Sequence, residues 1–569
     1  MSIVILQERM LYMIITDKNI LKDYTPSHCI WAGIPSIEVT KAGRNFLTFY
    51  SGGTKEEIGN YVVLIMSDDG KTFSSPIAIC KENDSRCFDP CLWIDPIGRL
   101  WLTWSKSPGN TVFGAICESP DDEKIVFGEE FVIGNDVMMN KPIVLSTGEW
   151  VFPIAVWENN IGPAISNPDP KEPKGAFAYV SYDKGKTFKK LGGTIVKNRS
   201  FDEHMFIEMN DGRLRVFVRT KNGIGAADSY DTGMHWGESF DTEYKGPCSR
   251  FHIRRLNSGK ILLINHYEYN GRNNLTAMLS EDEGKTFPYR LLLDERDNVS
   301  YPDAAIDPDG YIHITYDRER GGFCQSLEEA MSKAREILTA RISEKDIIEG
   351  KLVSPESYLK NVAFKLSDYD SEASNPFNEE KLFEASEYAS HLNNTIGTAD
   401  GVISQIFEVY KINCSNIHNI QAEKLDKLIC KYRKTNELSV LSEIITLIRN
   451  ADTKKLYDEK NTVDKICAYV IENLEKNYGA DDIVKEFHFS KSYLRHIFRK
   501  ETGTTITTFR RSQQLKKAKL LLMATDCKIT DIASSCGFDN PTYFTEIFTK
   551  EVGMSPKEYR KNNLPKNKR

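Results

Sequence analysis

Two groups of side chains in this 569-residue chain have the types and the spacing to do chemistry. The first appears on counting back nine residues from each of six glycines, Gly43, Gly98, Gly148, Gly212, Gly259 and Gly310, where the chain reads Ile34, Asp89, Met139, Glu203, Arg250 and Tyr301. Lys141, His204 and His252 stand one or two residues further on. Carboxylates, cations and a phenol at one repeated position suit a polar ligand site; a buried salt-bridge ring is the alternative for the same residues. The second group lies near the C-terminus, with Lys491, Ser492, Arg495, His496 and Arg499 in one stretch and Thr542, Thr545 and Glu546 in another. Arginine forks onto a guanine edge, glutamate accepts from cytosine, and surrounding cations neutralise phosphate, so this set suits a DNA surface.

The elements that must position the first group are strands. A hydrophobic run follows a glycine turn six times, in KAGRNFLTF, DPIGRLWLTW, STGEWVFPI, NDGRLRVFV, NSGKILLIN and DPDGYIHIT, with spacings of 55, 50, 64, 47 and 51 residues. Repetition near fifty residues, rich in aromatic and β-branched residues, predicts a six-bladed β-propeller whose innermost strands surround one axis. A second motif recurs in SDDGKTF from Ser67, SYDKGKTF from Ser181, SYDTGMHW from Ser229 and SEDEGKTF from Ser280. Its Asp and Gly suit a tight turn in which the carboxylate binds backbone amides and the glycine takes a positive φ.

These motifs resemble the Asp-boxes of the sialidase superfamily, over roughly residues 25–362. The resemblance implies a tyrosine nucleophile activated by a glutamate, matching Tyr301 in VSYPDAAIDPDG and Glu203 in DEHMFIEMNDG. Of the three arginines that grip a substrate carboxylate in that family, the second resembles Arg219 in VFVRT and the third Arg272 in NGRNNLTAMLS. The first should precede Ile-Pro, but the text is WAGIPSIE with Gly33 in its place. Asp89 in CFDPCLWID is the axial carboxylate left for the acid, and is not a clean equivalent of the family's. A missing clamp arginine costs about 1.5–3 kcal/mol of charge-assisted contact. The expectation therefore leans away from an enzyme and toward a site that binds a carbohydrate, an acidic one among the candidates; a glycoside hydrolase or lyase is the alternative.

The second group requires helices. SKSYLRHIFRKETG from Ser490 and NPTYFTEIFTKEVG from Asn540 are copies of one pattern, each opening on a capping residue, closing on glycine and burying i, i+3, i+4 apolar positions. Shorter helices, Asp481 to Phe487 and Ile529 to Ser535, precede them, giving two helix-turn-helix units joined by a helix over Ile506 to Met523. Residues 461–563 resemble the DNA-binding domain of the AraC/XylS transcription regulators. In that family base contacts fall at positions matching Ser492, Arg495, His496, Thr542, Thr545 and Glu546. Residues 461–569 hold 20 Lys and Arg against 13 Asp and Glu, although the whole chain carries a net −7, so a basic module sits on an acidic body.

Between these parts LSDYDSEASNPFNEE reads as a linker, and 380–455 reads as helices, for example Val402 to Ile412 and Leu438 to Ile448. These would dimerise the chain or pack on the DNA-binding domain. A helix over Leu327 to Glu336, a strand over Ile337 to Ile342 and an N-terminal strand near Ile3 to Ile15 are expected to close the ring by sharing a blade. The division expected is 1–362 propeller, 363–460 linker and all-α segment, and 461–569 all-α double helix-turn-helix domain. Twelve cysteines without a CxxC pair imply reduced thiols in cytoplasm, and neither a metal nor a cofactor is expected. No apolar run reaches membrane-spanning length. The partners expected are promoter DNA, a carbohydrate, RNA polymerase and a second copy of the chain.

Overall fold

In the computed structural model the described residues are 13–366, except the short stretches 25–28, 53–55, 83–84, 108, 158–172 and 322–326, and 462–563, except 475 and most of 477–490; between them only 431 is described. The expected linker and the helices Val402 to Ile412 and Leu438 to Ile448 lie outside the described residues, as does most of the expected helix Asp481 to Phe487.

Six antiparallel sheets form the propeller. Blade one runs outward from β2 (Trp31–Val39) through β3 (Asn45–Gly52), β4 (Tyr61–Ser67) and β5 (Ala78–Cys80) to β1 (Ile14–Ile15). Blades two to six start on β6 (Arg86–Ile94), β10 (Ile143–Val144), β14 (Arg199–Glu208), β18 (His252–Arg255) and β22 (Val299–Ile306), each with three further strands. The six turn glycines occupy one geometry: each has φ between 81° and 91° and donates its N–H to a carbonyl three residues back, as in Gly98 to Asp95 at 2.9 Å and Gly212 to Met209 at 2.8 Å. A side chain would strain that backbone, which is why the repeat is marked by glycine.

The Asp-boxes form the turns expected of them. Asp183 accepts from the Lys186 and Thr187 amides at 3.1 and 2.9 Å, and Asp282 does the same with Lys285 and Thr286. In blade four His235 replaces the usual threonine and places Nδ1 2.6 Å from Asp231.

Among the described residues the chain ends do not share a blade; of the expected strand Ile3 to Ile15, residues 3–12 lie outside the described residues. β1 pairs with β5 on the outer edge of blade one, Ile14 opposite Cys80, and the sixth blade completes itself with β24 (Glu336–Ile342) and β25 (Tyr358–Lys365). Every blade has its own four strands, so β1 covers the three-residue edge strand instead of closing the ring. Closure falls to polar contacts between blades one and six, including Ser36 Oγ to Asp303 at 2.6 Å and the Ile34 amide to Asp317 at 2.8 Å. The helix expected over Leu327 to Glu336 ends at Met331, because Glu336 joins β24 and pairs with Arg318 at 3.2 Å.

The C-terminal domain holds the first reading helix (Lys491–Thr502), the connecting helix (Ile506–Ala524), the short helix Ile529–Ser535, the second reading helix (Pro541–Val552) and a last helix, Pro556–Asn563. Asn540 caps the second reader by accepting from the Thr542 and Tyr543 amides at 2.9 and 3.2 Å, and Gly503 and Gly553 end the two readers with φ of 70° and 87°. Among the described residues no helix is long and apolar enough to cross a membrane.

Candidate axial ligand site and DNA-reading helices

The inner strands of blades one, two, four and six each lose register at one point, between Gly33 and Ser36, Phe88 and Cys91, Arg199 and His204, and Ser300 and Asp303. At these bulges Ile34, Asp89, Asp202 and Tyr301 take φ of 57°, 47°, 49° and 55°, a region that L residues seldom enter. A bulge re-aims the side chain at that position and stores strain that the surroundings must hold. For Tyr301 the hold is visible: Arg250, 1 % exposed, donates to the carbonyls of Tyr301 at 3.0 Å, Pro302 at 3.1 Å and Pro35 at 2.7 Å.

Tyr301 and Glu203 meet at the axis. The phenol donates to Glu203 Oε1 at 2.9 Å, and Arg219 Nη1 donates both to the phenol oxygen at 2.8 Å and to the same carboxylate oxygen at 2.5 Å. Arg219 and Arg272 are both pinned by the Cys248 carbonyl, at 3.1 and 2.9 Å. Burial raises the Tyr301 phenol to about 12, with Glu203 adding to the rise and Arg219, Arg320 and Arg272 opposing it. It is therefore protonated at neutral pH. Among the described residues Glu203 Oε2 and Arg219 Nε are buried without a hydrogen-bond partner, so the pair retains polar valence.

Sequence reasoning missed Arg320. At the end of blade six, its guanidinium lies 4.0 Å from the centre of the Tyr301 ring, closer than the carbonyl-bound Arg250 at 5.5 Å, Arg272 at 5.6 Å or Arg219 at 5.9 Å. Asp317 holds it at 2.9 Å and Ser300 at 3.2 Å. Its stem runs across Gly33: a Cβ there would lie 2.6 Å from Arg320 Cδ. The glycine that stands for the missing arginine is the gap through which another arginine enters. The pattern search looked for the cation beside Ile-Pro, and no spacing rule connects that place to YDRERGG almost three hundred residues later.

Asp89 belongs to an adjoining group that was also largely unread. Arg86 donates to the Tyr50 hydroxyl at 2.7 Å and to Glu56 at 2.8 Å. Burial raises Asp89 to about 7; Arg86 pulls it down, while Glu56 and Glu203 push it up. The other axial residues lie in different surroundings. Lys141 contacts the Ile37 and Leu92 carbonyls, each at 2.7 Å, with Glu38 at 2.9 Å and Asp303 at 3.1 Å, and His252 meets Asp303 at 3.1 Å. His204 sits between the Asp202 and Phe177 carbonyls, and burial lowers it to about 4. None of these three bonds to Tyr301 in the described contacts.

On the first reading helix Leu494 and Phe498 are buried, whereas Arg495, His496, Arg499 and Lys500 are exposed. The side chains of Lys491 and Ser492 lie outside the described residues. On the second reader Phe544 and Phe548 are buried and Thr542, Glu546 and Thr549 exposed; Thr545 is half-buried and donates to the Pro541 carbonyl at 3.0 Å.

Residues 44–314 match the BNR repeat-like domain family and residues 483–562 a helix-turn-helix domain family. The HTH-type transcriptional activator RhaR of Yersinia pestis (strain Angola) is 31% identical over 146 residues, 24% of this chain and 50% of the relative. The arabinose operon regulatory protein of Escherichia coli K12 is 29% identical over 132 residues, 23% of this chain and 45% of the relative. The chain thus spans about half the length of the curated relatives it matches. Among solved structures, a Hadza microbial sialidase aligns with 17% identity and TM-score 0.45 over 56% of this chain and 67% of its own. The intramolecular trans-sialidase of Ruminococcus gnavus aligns with 14% identity and TM-score 0.45 over 57% and 96%. This chain joins a six-bladed propeller that matches the BNR repeat-like family to a domain that matches a helix-turn-helix family.

Proposed function

We propose that the protein is a cytoplasmic, sequence-specific transcription regulator that binds promoter DNA through its two reading helices and senses an acidic carbohydrate in the propeller axis. RNA polymerase and a second copy of the chain are its further partners. The observation that carries the ligand reading is the convergence of Arg219, Arg272 and Arg320 on the Tyr301 ring. Planar guanidinium groups fork onto a carboxylate, and three of them around an aromatic floor suit a carboxylated sugar better than a neutral one. Ligand would bias DNA affinity only through a difference in its affinity for two arrangements of the chain.

A thermal-shift screen of the full chain tests this, because ligand binding raises stability by mass action. Carboxylated monosaccharides such as N-acetylneuraminic and glucuronic acid should raise Tm and their neutral counterparts should not. Arg320→Ala should weaken the response about tenfold or more, as expected for a lost charge-assisted contact. Equal responses to acidic and neutral sugars, or none to either class, would refute the sensing half.

Turnover is the second reading, favoured by Asp89, whose carboxyl burial raises to about 7 so that a large fraction keeps its proton near neutrality. There Glu203 would draw the proton from the Tyr301 phenol as its oxygen bonds to the anomeric carbon, the glycosidic C–O bond would break with Asp89 protonating the departing oxygen, and water would then cleave the glycosyl-tyrosine bond, returning protons to Tyr301 and Asp89. Aryl glycoside hydrolysis lost in Tyr301→Phe would move the propeller from sensor to enzyme.

A further inference from the structure

The underside of the propeller, where the glycine turns and Asp-boxes lie, is not the same all round. Four of the turn glycines, Gly43, Gly98, Gly259 and Gly310, have open space where a Cβ would be. Gly148 and Gly212, in blades three and four, are covered by the connecting helix: a Cβ would lie 2.8 Å from Met523 Cε and 2.8 Å from Lys516 Nζ. The Asp-boxes divide likewise. Their second residue is Asp68 in blade one and Glu281 in blade five, both exposed, but Tyr182 and Tyr230 in blades three and four. Tyr182 joins an apolar cluster that runs through Phe206 and Leu214 into Leu515, Leu522 and Tyr559 of the C-terminal domain, and Tyr230 packs edge-on to Phe509 at 5.8 Å.

Polar contacts across this seam are buried and specific. Lys519 on the connecting helix pairs with Glu149, which is 0 % exposed. The Tyr559 hydroxyl donates to the Thr147 carbonyl at 2.9 Å, Asn563 to that of Tyr182 at 3.1 Å and Gln513 to that of Tyr230 at 2.9 Å. Both readers are held by their C-terminal ends. A Cβ on Gly503, which ends the first, would lie 2.0 Å from the Trp236 carbonyl, and one on Gly237 would lie 2.4 Å from the Glu501 carbonyl. Lys189 of blade three donates to the Glu551 carbonyl of the second at 2.9 Å. The side chains of Arg495, His496, Thr542 and Glu546 stay exposed and are not covered by this contact.

We propose that the underside of blades three and four is a docking surface for the chain's own DNA reader, and that the docked arrangement is the one that engages duplex DNA. Holding both helix ends on one rigid sheet pair fixes their mutual angle, which two readers on one duplex require. β14 links this surface to the axis, because Glu203 meets Tyr301 and Glu208, five residues on, meets Lys516 at 3.1 Å. At about 3.3 Å per residue the two sites are roughly 17 Å apart along one strand. The seam also keeps a cavity of about 290 Å³ beside the second reader, lined by Tyr182, His235, Arg511, Tyr543 and Glu551. The second half of the proposal rests on the DNA-binding role proposed above.

The test uses the full chain with a Gly237→Ala wedge, which inserts one methyl into the seam from the propeller side, and Lys516→Ala as an independent second variant. Amide hydrogen exchange over residues 513–522 should accelerate about tenfold in each while β22 keeps its protection, because docking is a local equilibrium separable from the fold. Affinity for a mixed-sequence 40-base-pair duplex at fixed salt should fall about three- to tenfold with it. Unchanged exchange in both variants overturns the docking surface, and tighter duplex binding by Gly237→Ala overturns the docked state as the binding state. A wild-type chain that binds no duplex, with residues 513–522 still protected and released by the wedge, refutes the regulator reading while upholding the surface.

Discussion

Asp89 shows how much of the axial chemistry is set by neighbours. It sits at a bulge with positive φ, 2 % exposed, and burial raises its carboxyl to about 7. A carboxyl whose folded pKa lies above its unfolded value binds its proton more tightly in the native state. It therefore contributes stability that is full below about pH 4 and is lost as pH rises through about 7. Asp89→Asn, which keeps the shape and tolerates the left-handed backbone, should remove that component. Wild-type Tm should fall more steeply than the variant's between pH 5 and 7.5, and parallel curves would show that Asp89 does not titrate there. Arg320 makes a complementary point: its identity was present in the text, but its partnership with Gly33 was not, since only the ring brings blades one and six together.

At the scale of elements, the repeated glycine turn and the Asp-box were readable because each depends on a local backbone conformation that few residues tolerate. The readers were readable for a similar reason, as capping residue, buried stripe and terminal glycine all lie within one segment. Asn540→Ala should cost about 1 kcal/mol through loss of the two amide contacts at the cap. Urea unfolding should show that loss, and Asn540→Asp should recover most of it. Bulges were not readable. A slip of register has no composition of its own, yet it turns Asp89 and Tyr301 to their positions at the axis. The ring closure expected from a shared blade also failed at this scale, because the sequence did not reveal that β25 would complete the sixth sheet.

Across the whole molecule, the buried Lys519–Glu149 pair sets the energetics of the seam. Lys519→Met leaves a carboxylate at 0 % exposure without its cation, which should cost about 3–5 kcal/mol. Adding Glu149→Gln should recover much of this in a double-mutant cycle, because the second change removes the stranded charge. Costs that simply add would mean that the pair is not coupled. The sequence by itself determined six blades, four Asp-boxes and two capped reading helices, since periodicity, turn chemistry and capping are local and repeat along the chain; the pairing of Tyr301 with Glu203 came from the resemblance to the sialidases. Tertiary structure alone decided that Arg320 enters over Gly33, that Lys141 and His252 are bound up with Asp303, and that blades three and four carry the reader. Those outcomes depend on which surfaces distant segments bring together, and a charge or a gap acquires its partner only when the chain has closed on itself.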